Sequence, residues 1–355
     1  MLLCALVLGA WVSPLRGDPG GAIGLRVMSF NIRVLNTSDA AENQWTNRAD
    51  NVCALITELQ PDVLGLQEAV PQQYEDVKAG LDGYSSIFAG RDDGTKGEGT
   101  PLFYRADRFR LVDSGHFRLS PTPNQPSIGW NASCNRIAVW AVLEDVATGA
   151  SFIYLNTHFD HVSEEARIES AKLIKETVRG LAPSLPFVFN ADFNLNDKSE
   201  GYDLLVNYSY PCIDTWKAAA ETEGGPGTLD IWGTYPNVAD NKIDFIFASK
   251  GTTVERSVIC PATNEAGEYY SDHICRHRPE ERRIRRRIPY MGTADRQRGA
   301  DFVQQPVDCR RWYARGSHRQ QRGNHLPLHL GRSHGFYFHY GGIMGGKTGH
   351  IERRH

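Results

Sequence analysis

No two of the seven cysteines are spaced Cys-x-x-Cys, which argues against a zinc ribbon or a thioredoxin-like redox site. No apolar run is long enough to cross a bilayer, and no segment repeats with a solenoid period. The composition is not that of a disordered chain either. Of its 355 residues 41% are hydrophobic, enough to fill one large α/β core or two modest ones.

The apolar run in Met1–Gly17 is too short for a membrane span and reads as a secretory signal peptide, although no Lys or Arg precedes it. A secreted, extracellular protein is therefore expected, with the ragged start of a cytosolic chain as the alternative. Asn36, Asn131 and Asn207 each open an Asn-x-Ser/Thr triplet and would accept glycans on that route. Six cysteines remain beyond the leader (Cys53, Cys134, Cys212, Cys260, Cys275 and Cys309), an even number compatible with disulfides. Their spacing fixes no pairing, and buried free thiols fit equally well.

Charge is unevenly distributed. The Arg-rich segment from Arg276 onward carries about +12, leaving about −15 on the rest of the chain. An acidic body suits a divalent cation better than it suits non-specific contact with nucleic-acid phosphates.

Leu25–Ile32 alternates in the manner of a strand, Asn47–Leu59 has helical spacing, and Val63–Glu68 follows as a second strand. Further strands are expected over Thr100–Tyr104, Arg136–Leu143, Ser151–Asn156, Leu185–Asn190 and Lys242–Ala248, with a helix over Glu164–Leu181. Strands and helices in this mixture predict a layered α/β architecture, sheet on sheet with helices outside.

The strand ends carry the chemistry: Asn31, Glu68, His158, Asp160, Asp192, Asn194, Asp244, Asp272 and His273. Hard oxygen donors with no cysteine beside them suit Mg²⁺ or Mn²⁺, and a phosphoester is the natural partner of such a site. Taken singly, each is more often a turn, a cap or a satisfied hydrogen-bonding group than a catalyst.

Their order changes that balance. Phe30-Asn31, Leu66-Gln67-Glu68, Asn156-Thr157-His158, Asp192-Phe193-Asn194, Ile243-Asp244 and Ser271-Asp272-His273 together resemble the endonuclease/exonuclease/phosphatase (DNase I-like) family. The resemblance spans residues 22–275 and is greatest to its compact secreted and bacterial hydrolases, more distantly to the deadenylase-type 3′ exonucleases. It implies a four-layered α/β sandwich of two packed mixed sheets flanked by helices. It also implies that Glu68 and Asn31 hold the Mg²⁺ (or Mn²⁺), with Asp272 joining the metal shell. Asp192 would take a proton from the attacking water, Asn194 would orient that water or a phosphate oxygen, and His158 and His273 would bind the phosphate. Asp244 would orient His273, and Arg136 is a lesser candidate for substrate contact, with an ordinary surface arginine as the alternative.

The expected function is hydrolysis of phosphodiesters, with nucleic acid preferred as substrate in the manner of a 3′-5′ exonuclease. A sphingomyelinase-like or small-molecule phosphatase is the neighbouring reading, and a catalytically impaired binding protein is the reading of another class. Two departures from the family pattern stand out. Ala191 replaces the usual Gly before Asp192, and after His273 the chain reads Ile274-Cys275-Arg276-His277-Arg278-Pro279, in which no strand pattern is recognisable. Residues 276–355 are therefore expected to be an atypical tail, either a disordered basic arm or sequence read out of frame, and the second is favoured because the switch removes a core strand.

Overall fold

The computed structural model describes residues 23–277. The leader and most of the Arg-rich segment lie outside the described residues. The chain opens with β1 (Val27–Asn31), α1 (Trp45–Leu59), β2 (Val63–Gln67) and α2 (Pro71–Gly80). Strands β3 (Tyr84–Ile87), β4 (Leu102–Arg105), β5 (Phe109–Arg118), β6 (Ile137–Asp145) and β7 (Ser151–His158) follow. Next come α3 (Glu164–Leu181), β8 (Phe187–Asp192), α4 (Glu200–Asn207), β9 (Cys212–Asp214), α5 (Thr215–Ala218) and β10 (Ala219–Glu223). The last described elements are β11 (Asp244–Ser249), β12 (Val254–Ile259) and β13 (Arg276–His277).

Seven strands form one sheet in the order β10-β12-β13-β1-β2-β4-β3, and six form the other in the order β5-β6-β7-β8-β11-β9. Side chains alternate across a strand, so each core strand serves two layers. In β1, Val27 packs toward the second sheet while Met28 and Phe30 meet α1 and α2. In β11, Ile246 and Ala248 face the first sheet while Phe245 and Phe247 pack toward α3 and α4. The result is the expected four-layered α/β sandwich, with one apolar cluster between the sheets and one beneath each helical layer.

Helix α3 begins where the Ser163 hydroxyl accepts from the Ala166 amide, and Glu164 and Glu165 sit in its first turn, where the helix dipole favours them. Its buried face holds Ala171, Ile174 and Val178, and burying each of the two larger side chains contributes about 1.5–3 kcal/mol.

Toward one end of the inter-sheet layer the packing turns polar. Gln67 Nε2 donates to Asn156 Oδ1 at 2.7 Å, and Asn190 Nδ2 donates to Asn156 Oδ1 at 3.0 Å and to Ser29 Oγ at 2.9 Å. Asn156 in turn donates to the Leu66 and Pro101 carbonyls. Gly65 makes room for this network, because a Cβ there would stand 2.5 Å from Asn190 Nδ2 and 2.6 Å from Asn156 Cγ.

The expectation that no strand follows His273 is corrected. Arg276 and His277 pair antiparallel with both β1 and β12, joining the two halves of the seven-stranded sheet. Main-chain pairing needs no apolar pattern, so the sequence gives little sign of it. Residues beyond 277, with the out-of-frame reading and Cys309, lie outside the described residues.

Candidate active site

Period-two alternation builds the site. Asn31 follows Val27 and Ser29 on one face of β1, His158 follows Tyr154 and Asn156 on β7, and Asp192 follows Val188 and Asn190 on β8. Asp244 opens β11 opposite Asp192, and His158 pairs with Asp192 along the parallel β7 and β8. The inter-sheet face thus passes from apolar side chains through amides to carboxylates and imidazoles at its rim.

Asn31 is central to this rim. Its Nδ2 donates to Glu68 Oε1 and to Asp192 Oδ2, both at 3.0 Å, and so joins the two sheets. The second Glu68 oxygen accepts from the Val34 amide at 2.8 Å. Asp192 Oδ1 accepts from the Asn194 amide at 2.9 Å, while Asn194 Nδ2 donates to His158 Nε2 and to the Phe159 carbonyl, each at 3.0 Å. Glu68 and Asn194 have positive φ, 63° and 49°, a conformation that non-glycine residues rarely adopt and that concentrates at functional sites.

His273 is carried by the loop that returns to β13, where it bridges Leu229. Its Nδ1 stands 3.0 Å from Asp244 Oδ2 and its Nε2 lies 3.6 Å from Asp192 Oδ2. Ser271 fixes this loop by donating to the Asn31 carbonyl at 2.7 Å. Asp272 is held by Ser271 and lies 3.5 Å from an Arg33 nitrogen.

Burial sets the protonation states. It pushes the Asp192 carboxyl up to about 7, with the Asp244 charge adding to the rise and His273 opposing it. For His273 burial disfavours the cation, but Asp244 and Asp192 outweigh it and hold the imidazole well above its ordinary value. His158 is displaced the other way, well below its ordinary value, by burial and then by the charges of Arg136 and His273. Burial also raises Asp272, against the pull of His273 and Arg33. The two histidines are therefore displaced in opposite directions, His273 toward the charged ring and His158 toward the neutral one.

Two overlapping groups have donor atoms within 4.8 Å of one another, Glu68 with His158 and Asp192, and Asp192 with Asp244 and His273. Crowded carboxylates with an imidazole beside them are a donor set suited to a hard divalent cation. Glu68 and Asn31, the expected metal ligands, stand together at this rim, joined by the 3.0 Å hydrogen bond between them.

Arg136 is buried, not a surface residue. Its Nη2 lies 2.9 Å from His161 Nδ1 and its Nε 3.6 Å from Asp160 Oδ2, and it lines a small cleft with Glu68, Arg91, Glu98, Thr100 and His158. Asp160 takes no part in the rim; it accepts the Val162 and Ser163 amides and caps the turn before α3. Sequence reasoning missed Arg33 and Glu98. Arg91 and Glu98 are ion-paired at 2.7 Å in the loop before β4, and only the position of Arg33 two residues beyond Asn31 hinted at its role. Asn131 and Asn207 are exposed and Asn36 is partly so.

The family model described as "Endonuclease/Exonuclease/phosphatase family" matches residues 28–273, from β1 through His273. The chain belongs to the endonuclease/exonuclease/phosphatase family. Members of this family are phosphoester hydrolases. A solved family structure from Bacteroides vulgatus is 39% identical, covers 72% of this chain and 97% of its own, and superposes with a TM-score of 0.69. The mannosyl-6-phosphatase Bt3783 of Bacteroides thetaiotaomicron is 33% identical over 71% of this chain and 98% of its own, with a TM-score of 0.66. Among curated proteins, Nocturnin of Xenopus laevis is 22% identical over 281 residues, 70% of either chain. Among the described residues no helix is long and apolar enough to cross a membrane.

Proposed function

We propose that this chain hydrolyses phosphoesters with a water activated by Asp192, at a rim that takes Mg²⁺ or Mn²⁺ beside Glu68 and Asn31. The observation that carries this reading is the placement of Asp192, 3.6 Å from His273 and held by the Asn194 amide, where burial raises its carboxyl to about 7. A carboxylate with that affinity for protons is matched to a general base near neutral pH. Asp192 accepts the proton of a water oriented by Asn194, the water oxygen forms the new bond to phosphorus, and the bond from phosphorus to the leaving oxygen breaks. The imidazolium of His273, kept charged by Asp244, donates to the phosphoryl oxygens as negative charge accumulates. His158 stays neutral and packs its ring beside the same oxygens. When bound, the cation neutralises charge on the phosphate and on the leaving oxygen.

For the substrate, a small organic phosphate such as a sugar phosphate is the first choice. Support comes from the likeness to a mannosyl-6-phosphatase over almost the whole of that protein and from the acidic body, about −15 before Arg276, which opposes a polyanionic backbone. Cleavage of nucleic-acid phosphodiesters is the second reading, supported by the motif order shared with the 3′ exonucleases. Residues 22–355 are to be assayed with mannose 6-phosphate, bis-p-nitrophenyl phosphate, RNA and sphingomyelin, with Mg²⁺ and then with EDTA. Metal-dependent release from the sugar phosphate is expected. Cleavage of RNA alone would move the assignment to a nuclease, and no turnover of any phosphoester by folded protein would refute the proposed activity.

A further inference from the structure

The pairing of Val258 with His277 and of Ile259 with Arg276 continues to Cys260 and Cys275, where the Cys260 amide donates to the Cys275 carbonyl at 3.0 Å. Directly opposed, hydrogen-bonded residues of an antiparallel pair stand about 5.5 Å apart at Cα, inside the roughly 4.4–6.8 Å that a disulfide spans. Opposed residues also project to the same face. Both cysteines belong to the apolar cluster beneath α1, and they are 5% and 2% exposed. Both cysteines are free thiols in this structure, and burial, with the Cys260 thiol beside it, holds Cys275 well above its ordinary pKa. Neither residue takes part in the proposed hydrolysis.

The position matters because of what lies between. The segment closed by this pair carries Ser271, Asp272 and His273, and its return to the sheet is the two-residue strand β13. We propose that Cys260 and Cys275 form a disulfide when the chain folds in an oxidising compartment, and that this bond locks the His273 loop onto the end of β12. In the reaction one cysteine thiolate attacks the disulfide of oxidised glutathione or of a disulfide oxidoreductase, giving a mixed disulfide. The second thiolate then displaces the partner's sulfur. The two protein thiols give up two electrons and two protons, and the partner leaves as two thiols. The exchange precedes burial of the sulfurs, and burial afterwards shields the bond from reductant.

The full chain is to be expressed through an oxidising secretory route and unfolded with iodoacetamide to block free thiols. Reduction, labelling with N-ethylmaleimide and peptide mapping follow. Cys260 and Cys275 are expected to carry maleimide, and an unreduced digest is expected to contain them as one linked species. Iodoacetamide on either cysteine, or linkage of either to Cys53 or Cys309, overturns the pairing. The Cys260→Ala/Cys275→Ala double variant is expected to melt about 6–12 °C below the oxidised chain, the shift that closing a loop of this length implies. If that variant does not fold, wild-type chain made in a reducing cytosol, with both thiols free, provides the comparison. A melting temperature unchanged by presence of the bond would overturn the lock.

Discussion

Asp192 Oδ2 and His273 Nε2 face each other across 3.6 Å, one at the end of β8 in the six-stranded sheet and the other in the loop that closes the seven-stranded sheet. Neither group has its ordinary proton affinity: burial and then Asp244 raise Asp192 against the pull of His273, while Asp244 and Asp192 raise His273 against its burial. Hydrolysis as proposed needs Asp192 deprotonated while His273 keeps its proton. The profile of kcat/KM against pH is accordingly expected to be bell-shaped, with an acid limb at or below about 7 and an alkaline limb well above the ordinary histidine range. In Asp244→Asn the alkaline limb is expected to move toward acid, since the charge that raises His273 is gone. An alkaline limb that stays in place would remove Asp244 from that role.

The contribution of Asp192 to stability without metal falls as pH rises. The native state holds the Asp192 proton up to about 7, whereas an unfolded aspartate releases it near 3.9, so native protein binds more protons across that interval. His273, also raised, extends the decline above its ordinary value. His158, lowered, gives the opposite slope below its ordinary value, so in EDTA the melting temperature of Asp192→Asn is expected to rise relative to that of wild type as pH climbs toward about 7. A variant with the wild-type slope would show that other groups set it.

Mg²⁺ is expected to raise the melting temperature of the wild-type chain, by linkage of binding to folding. Glu68→Gln should weaken Mg²⁺ binding at least about tenfold, roughly 1.4 kcal/mol, in isothermal titration calorimetry. Equal affinity in the two proteins would place the cation elsewhere.

Gly65→Ala tests the amide network behind the site. The added methyl would meet Asn190 and Asn156 side chains that are themselves fixed by hydrogen bonds, so a loss of about 1–3 kcal/mol is expected in denaturant unfolding. Wild-type stability would mean that the network adjusts without cost.

The legible parts of the sequence were those where one physical pattern dominated. Alternation marked β1, apolar runs marked β7 and β8, and helical spacing gave α3 its full extent, because burial leaves few substitutes for apolar residues. Strand β5 was not read: its middle is exposed and its pairing with β6 shifts between Leu111 and Asp113, which breaks the period. Edge strand β10 is largely polar and exposed, and β13 pairs through its main chain with β1 and β12 in a segment dominated by arginine. Within the site the six motifs marked the residues on strand ends. The protonation states of His158 and His273 could not be read from their motifs. They depend on burial and then Arg136 in one case and on Asp244 with Asp192 in the other, surroundings that only the packed sheets create.

The most direct measurement is the turnover of Asp192→Asn with saturating Mg²⁺ on whichever phosphoester the wild-type chain cleaves, alongside its melting temperature. Loss of the general base is expected to lower kcat by about 10²–10⁴-fold while the fold is kept, since the amide retains the shape and relieves a crowded buried charge. A kcat within threefold or so of wild type in a folded variant would contradict the assignment of Asp192 as the group that activates water.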